Sequence, residues 1–130
     1  MKIKSFEELD IWKLALNITK HIYDLTSKNE FNKDFGLKDQ IRRAIISVSS
    51  CIVEGFEKNN NNEFKRYLAI AKGSCGEVRN QLYIALAVKY ISRTEFDLVN
   101  NLLLEEAAKI GKFITYLEQQ KQQGNFIKTR

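Results

Sequence analysis

Between Phe64 and Ala85 the residues Phe64, Leu68, Ala71, Cys75, Val78, Leu82 and Ala85 recur at alternating spacings of four and three. That rhythm holds one stripe on an α-helix and is incompatible with a strand, whose side chains alternate every second residue. Three further segments carry the same pattern. Ile11, Ala15, Ile18, Ile22 and Leu25 mark a first helix over about residues 6–27, with Leu9, Trp12, Leu16 and Tyr23 as a second row that widens its buried face. Leu37, Ile41, Ala44, Ile45, Val48, Ile52 and Phe56 mark a second helix, and Phe96, Val99, Leu103, Ala107, Ile110, Ile114 and Leu117 a fourth that ends near Gln123.

Polar signals punctuate these segments. Ser5 with Glu8, Asn60 with Glu63 and Ser92 with Glu95 have capping-box spacing, in which two side chains satisfy otherwise unpaired backbone donors. Residues 28–36 break the period and end in Gly36, so they read as a loop pinned by Phe31 and Phe35, and the second helix starts near Leu37. The run Glu57-Lys58-Asn59-Asn60-Asn61-Asn62 favours a turn before a third helix that reaches about Tyr90. Gly124 is a stop signal, and Asn125 to Arg130 form a basic tail that frays or docks through Phe126 and Ile127. Proline, which breaks helix interiors, is absent. Gly73 and Gly76 interrupt the third helix at about 1 kcal/mol each against alanine, a cost that close approach of a neighbouring helix would offset.

Four amphipathic helices on short connections bury their seams most simply as an antiparallel, up-down-up-down four-helix bundle, and 130 residues form a single domain, 1–130. With 44% hydrophobic and 28% charged residues and no apolar run of membrane-spanning length, the chain reads as a soluble protein with no membrane partner. Its start, Met1-Lys2-Ile3-Lys4-Ser5-Phe6-Glu7-Glu8, lacks the apolar core of a secretory signal, which points to the cytoplasm.

Catalytic equipment is hard to find. His21 is the sole histidine and reads as a solvent-edge residue, so neither a triad nor a bundle metal site can be assembled around it. Cys51 and Cys75 fall inside apolar patterns and read as buried, inert thiols. Gly73-Ser74-Cys75-Gly76 lies mid-helix rather than in a phosphate-binding loop. The neighbours Glu7 and Glu8, and Glu105 and Glu106, point about a hundred degrees apart on a helix and read as solvated surface. Glu54 and Glu77 fit a polar face or an interhelical ion pair. The expectation is no catalytic residue, no metal, no cofactor and no small-molecule substrate.

Positive charge is distributed unevenly. Residues 37–90 hold nine basic against five acidic side chains, whereas residues 1–36 are balanced at six each. Lys65, Lys72 and Arg79 recur every seven residues and project as one stripe beside the seam, and Arg42 with Arg43 adds a basic pair. Such a surface neutralises nucleic-acid phosphates with little sequence preference, or merely solubilises the fold. Apolar residues also lie outside the seams. Ile46 with Val53, and Ile70 with Ile84, are spaced by multiples of seven, and Leu104 adds a third position, so a second interface and self-association are implied.

The motifs Phe6-x-x-Leu9-x-x-Trp12, Gln40-Ile41-Arg42-Arg43-Ala44, Ser47, Ile52-Val53-Glu54-Gly55, Glu63-Phe64-x-Arg66-Tyr67-Leu68, Ala71, Gly73-Ser74, Glu77 and Gln81-Leu82 stand in a definite order. In that order the chain resembles the bacterial four-helix-bundle proteins found as reading frames in intervening sequences of 23S ribosomal RNA genes, often filed as S23 ribosomal proteins. The resemblance covers about two-thirds of the chain, through the third helix. Cys51 stands where the family usually has asparagine, and Val53 replaces an alanine. The resemblance implies a ring-shaped homo-oligomer, commonly a pentamer, without established catalysis. The family is similar to the accessory protein of diversity-generating retroelements, a pentameric basic barrel that binds nucleic acid and a reverse transcriptase.

Together these readings give a homo-oligomer whose Arg42, Arg43, Lys65, Arg66, Lys72 and Arg79 bind phosphates of RNA or DNA, with structured RNA favoured. Ile46, Val53, Ile70, Ile84 and Leu104 are its expected subunit contacts. The alternative is a structural or protein-interaction oligomer in which the same charges only solubilise.

Overall fold

A computed structural model describes residues 2–122, which are helical apart from their connections and an isolated bridge residue, Ile3. A 3-10 turn at Phe6–Glu8 leads into α1 (Asp10–Thr26), followed by a short α2 (Asn29–Lys33) and then α3 (Phe35–Glu57), α4 (Asn61–Ala87) and α5 (Arg93–Gln122). The expected stop at Gln123 and Gly124 and the tail 125–130 lie outside the described residues.

The helix boundaries follow from local chemistry. At the amino end the Glu8 carboxylate accepts from the backbone N–H of Ser5 at 3.0 Å and of Lys4 at 3.1 Å. That cap belongs to the 3-10 turn rather than to α1. Leu9 is extended between them, with its side chain buried, so the first helix begins at Asp10 and not at Phe6. Residues 28–36 are not wholly loop either, because Asn29–Lys33 closes one helical turn. Phe31 in that turn is fully buried against Tyr90, at 5.4 Å between ring centroids. Phe35, by contrast, is 70% exposed and pins nothing. It opens α3, whose N-cap is Asp34: Oδ1 accepts from the Leu37 N–H at 3.1 Å, and Gly36 is simply part of the first turn.

Asn60 caps α4 by accepting from the Glu63 N–H at 3.0 Å. Before α5 both halves of a capping box are present, Ser92 N–H to Glu95 at 2.8 Å and Glu95 N–H to Ser92 Oγ at 3.1 Å. The carboxyl end of α4 closes with Tyr90 N–H on the Ala85 carbonyl and Lys89 N–H on Leu86, which puts Lys89 at φ 67°. This is the paired-bond stop that glycine usually occupies.

The long helices pack in a closed circuit, α1 on α3, α3 on α4, α4 on α5 and α5 on α1. Along α3 and α4, Asp34 meets Tyr90, Ser47 meets Ser74 and Phe56 meets Phe64, so ascending numbers on one helix meet descending numbers on the other. Tyr83 with Phe96, Arg79 with Asn100 and Phe64 with Phe113 repeat the relation between α4 and α5. The seams read from sequence fill the centre: Ile18, Ile22, Ile41, Ile45, Ile52, Leu68, Leu82 and Leu103 are fully buried, each contributing about 1.5–3 kcal/mol of hydrophobic transfer. The second row on α1 covers less than its pattern promises, since Leu16 and Tyr23 face solvent.

Glycines sort into two kinds. Gly55 is a contact point: a Cβ there would lie 2.7 Å from Tyr67 Cβ and 3.0 Å from Phe64 Cδ1. Gly73 and Gly76 are exposed, and a Cβ on either would meet nothing within 4 Å. No helix among the described residues approaches them, because the buried line of α4 runs through Ala71, Cys75 and Val78 on the opposite side.

Candidate nucleic-acid interface

The six basic candidates divide by what they touch. Arg42 on α3 is a tie to α1: Nε donates to Thr26 Oγ1 at 2.8 Å, Nη2 donates to Ser27 Oγ at 3.1 Å, and the guanidinium lies 4.1 Å from the Tyr23 ring centroid. Arg66 is balanced by Glu63, with Nε and Nη2 donating to the two carboxylate oxygens at 2.9 and 3.3 Å, and it also lies over Tyr67. That pair holds the Glu63 carboxyl below its ordinary range and raises the guanidinium further. Arg43 is exposed on α3.

Lys65, Lys72 and Arg79 form the remaining group, and they run along the edge where α4 meets α5. Arg79 Nε donates to Asn100 Oδ1 at 2.8 Å, which leaves the rest of its fork available. Lys72 lies across Gly111, with Nζ 3.6 Å from where a Cβ would stand. Lys65 and Lys72 make no ion pair among the described residues. The structure therefore brings together Lys65, Lys72 and Arg79. It does not bring Arg42 or Arg43 to them, because α3 packs on the Tyr67 and Ser74 side of α4 and the stripe faces α5.

Sequence reasoning missed Tyr83. It stands eighteen residues after Lys65, five full helical turns, and so continues the same line. The residue is 51% exposed, and its ring centroid lies 4.6 Å from that of Phe96, which is buried. The eighteen-residue interval was the signal available in the sequence.

Among the carboxylates, Glu54 and Glu77 are exposed and make no ion pair among the described residues. Glu106 corrects the sequence reading outright. It is fully buried rather than solvated, and neither of its oxygens has a hydrogen-bond partner. It lies three residues after Leu103 and four before Ile110, on the buried face of α5, a placement the comparison with Glu105 alone concealed. Burial pushes its carboxyl up to about 8, with Glu105 adding to the rise and Lys109 opposing it. Cys75 is buried as expected, Cys51 only half-buried with Sγ 3.8 Å from Ser47 Oγ, and His21 is half-buried on α1.

A groove of about 460 Å³ beside the start of α1 is lined by Ile3, Leu9, Ile11, Phe113 and Tyr116, with Glu8, Asp10, Lys109 and Lys112 also on it. Among the described residues no three His, Cys, Asp or Glu side chains gather as metal ligands. No helix among them is long and apolar enough to cross a membrane.

The family model for the 23S rRNA-intervening sequence protein matches residues 7–114. The chain belongs to this family. Among solved structures it is similar to a Bacteroides thetaiotaomicron protein of unknown function from the S23 ribosomal protein family. The two share 24% identity over 80% of this chain and 97% of the other, with a TM-score of 0.73, which bears on the fold alone. No curated protein matches the chain. Ile46, Ile70, Ile84 and Leu104 are each 41–44% exposed, and Val53 is half-buried.

Proposed function

We propose that this chain is a non-enzymatic, antiparallel up-down-up-down bundle that self-associates, in a pentamer on the family resemblance, and binds structured RNA at the α4–α5 edge. The observation that carries RNA binding is the row Lys65, Lys72 and Arg79, in which neither lysine has a carboxylate partner among the described residues. Three cations on one helix edge contact phosphates without reading bases, and a closed oligomer multiplies the row. The family name, which ties these proteins to 23S rRNA intervening sequences, supports RNA over DNA. The ascending-against-descending contacts between neighbouring helices support the antiparallel arrangement. Self-association is supported by the face of α4 beside the stripe, where the exposed Gly73 stands with the exposed Ile70 and Ile84. A helix that accepts the cost of an open glycine there gains a surface that a second copy can approach closely.

Light scattering of the purified protein and a salt titration of RNA binding test the two halves separately. An assembly larger than a monomer is expected, with an affinity that falls as salt rises and collapses on reversing Lys65, Lys72 and Arg79 to glutamate. A monomer ends the assembly reading. RNA affinity that ignores salt or survives the triple reversal ends the phosphate reading and favours a protein-interaction oligomer.

A further inference from the structure

We propose that Tyr83 is a stacking platform for an unpaired nucleobase, so that the α4–α5 stripe engages structured RNA at its loops and other unpaired stretches rather than along uninterrupted duplex. This rests on the RNA-binding reading and names the class of RNA it takes. The tyrosines of the described chain are otherwise occupied. Guanidinium groups cover the rings of Tyr23 and Tyr67, the Tyr90 hydroxyl donates to Asp34 at 2.8 Å, and the Tyr116 hydroxyl is buried. Tyr83 alone among them is half exposed with no cation over its ring and no hydrogen bond from its hydroxyl among the described residues.

The ring is also held in place. Phe96, 1% exposed and so anchored in the core, supports it from behind at a 54° tilt, while Arg93 lies over Phe96 at 5.5 Å. A ring fixed in this way loses little side-chain freedom when a base settles on its open face. Arg79 stands four residues earlier, about 6 Å of helix rise, so one nucleotide can place its phosphate at the guanidinium and its base at the tyrosine. Lys72 and Lys65 continue the phosphate track beyond it. A basic track ending on an open aromatic face is the arrangement by which proteins hold splayed-out bases, whereas a duplex keeps its bases stacked and offers the ring nothing.

The test uses fluorescence anisotropy at low salt with a fluorescein-labelled 15-nucleotide oligouridylate and a 15-base-pair RNA duplex, on the wild type, Tyr83→Phe, Tyr83→Leu and Lys72→Glu. Tyr83→Leu keeps apolar bulk on Phe96 while removing the aromatic face and the hydroxyl, with Tyr83→Phe separating the two, and folding is checked by helical circular dichroism. The wild type is expected to prefer the single strand. Tyr83→Leu should lose roughly ten-fold of that affinity and leave the duplex unchanged, while Tyr83→Phe retains it. Equal affinity for both probes in the wild type, or a Tyr83→Leu protein that binds the single strand as the wild type does while Lys72→Glu loses it, overturns the stacking proposal and leaves the phosphate reading intact. Failure of the wild type to bind either probe overturns the RNA reading, and the stacking proposal with it.

Discussion

Cys75 on α4 and Glu106 on α5 are both fully buried, and the charge of the Glu106 carboxylate adds to burial in pushing the Cys75 thiol up to about 12. Glu106 is the more consequential partner, because its own carboxyl is pushed up to about 8 while an unfolded glutamate titrates near 4.5. In that interval the folded chain holds a proton that the unfolded chain has released. Stability from this group is therefore fully present below the unfolded value and is lost as pH rises through the folded one. Urea unfolding between pH 5 and 8 should show stability falling by about 1.4 kcal/mol per pH unit from this group, and Glu106→Gln should remove that slope. Parallel pH profiles for the two proteins would sink the assignment.

Replacing Glu106 by leucine tests the same site from the apolar side. A neutral carboxyl with two unpartnered oxygens costs about 1–3 kcal/mol against a well-packed apolar side chain. Glu106→Leu should raise the urea midpoint at pH 7, and an unchanged or lower midpoint would show that the carboxyl has a partner in solution.

Gly55 should resist substitution. A methyl group there would overlap Tyr67 Cβ at 2.7 Å and approach the Phe64 backbone at 3.3 Å, and neither atom is the far end of a flexible side chain. Gly55→Ala should cost about 1–3 kcal/mol despite alanine's better helix propensity, read from thermal unfolding.

Gly73→Ala and Gly76→Ala should do the reverse. Each adds a methyl group to open space on an exposed helical face, so the isolated chain gains about 1 kcal/mol per site. If a second copy packs on the Ile70 and Ile84 side of α4, Gly73→Ala should shift light scattering towards monomer while its secondary structure becomes harder to melt. An assembly unaffected by that methyl group would place the subunit contact elsewhere.

The four-three seams on α1, α3, α4 and α5 were legible because burial of an apolar stripe is written directly into residue spacing, as Ile18, Ile45, Leu82 and Leu103 show. Boundaries set by single hydrogen bonds were not. The Asp34 cap and the extended Leu9 depend on where one side chain lands, and Phe31 and Phe35 have equal hydrophobicity but opposite exposure because only one faces Tyr90. At the candidate site the heptad spacing of Lys65, Lys72 and Arg79 was visible, but charge alone could not tell Arg42 from Arg79. The first spends its fork on Thr26, Ser27 and Tyr23, and the second spends one nitrogen on Asn100.

Arg42 and Arg43 should accordingly separate in experiment although they are neighbours in sequence. Arg42→Ala removes two hydrogen bonds and the cover over Tyr23, and leaves the buried Thr26 hydroxyl without its donor. The expected cost is about 1–3 kcal/mol in urea unfolding. Arg42→Lys should recover little of it, since a point ammonium cannot reach Thr26 and Ser27 and stack on Tyr23 at once. Arg43→Ala is exposed and should stay within about 0.5 kcal/mol of wild type. RNA affinity should follow neither loss closely, because both residues lie away from the stripe. An Arg42→Ala protein of unchanged stability that no longer binds RNA would return Arg42 to the binding surface.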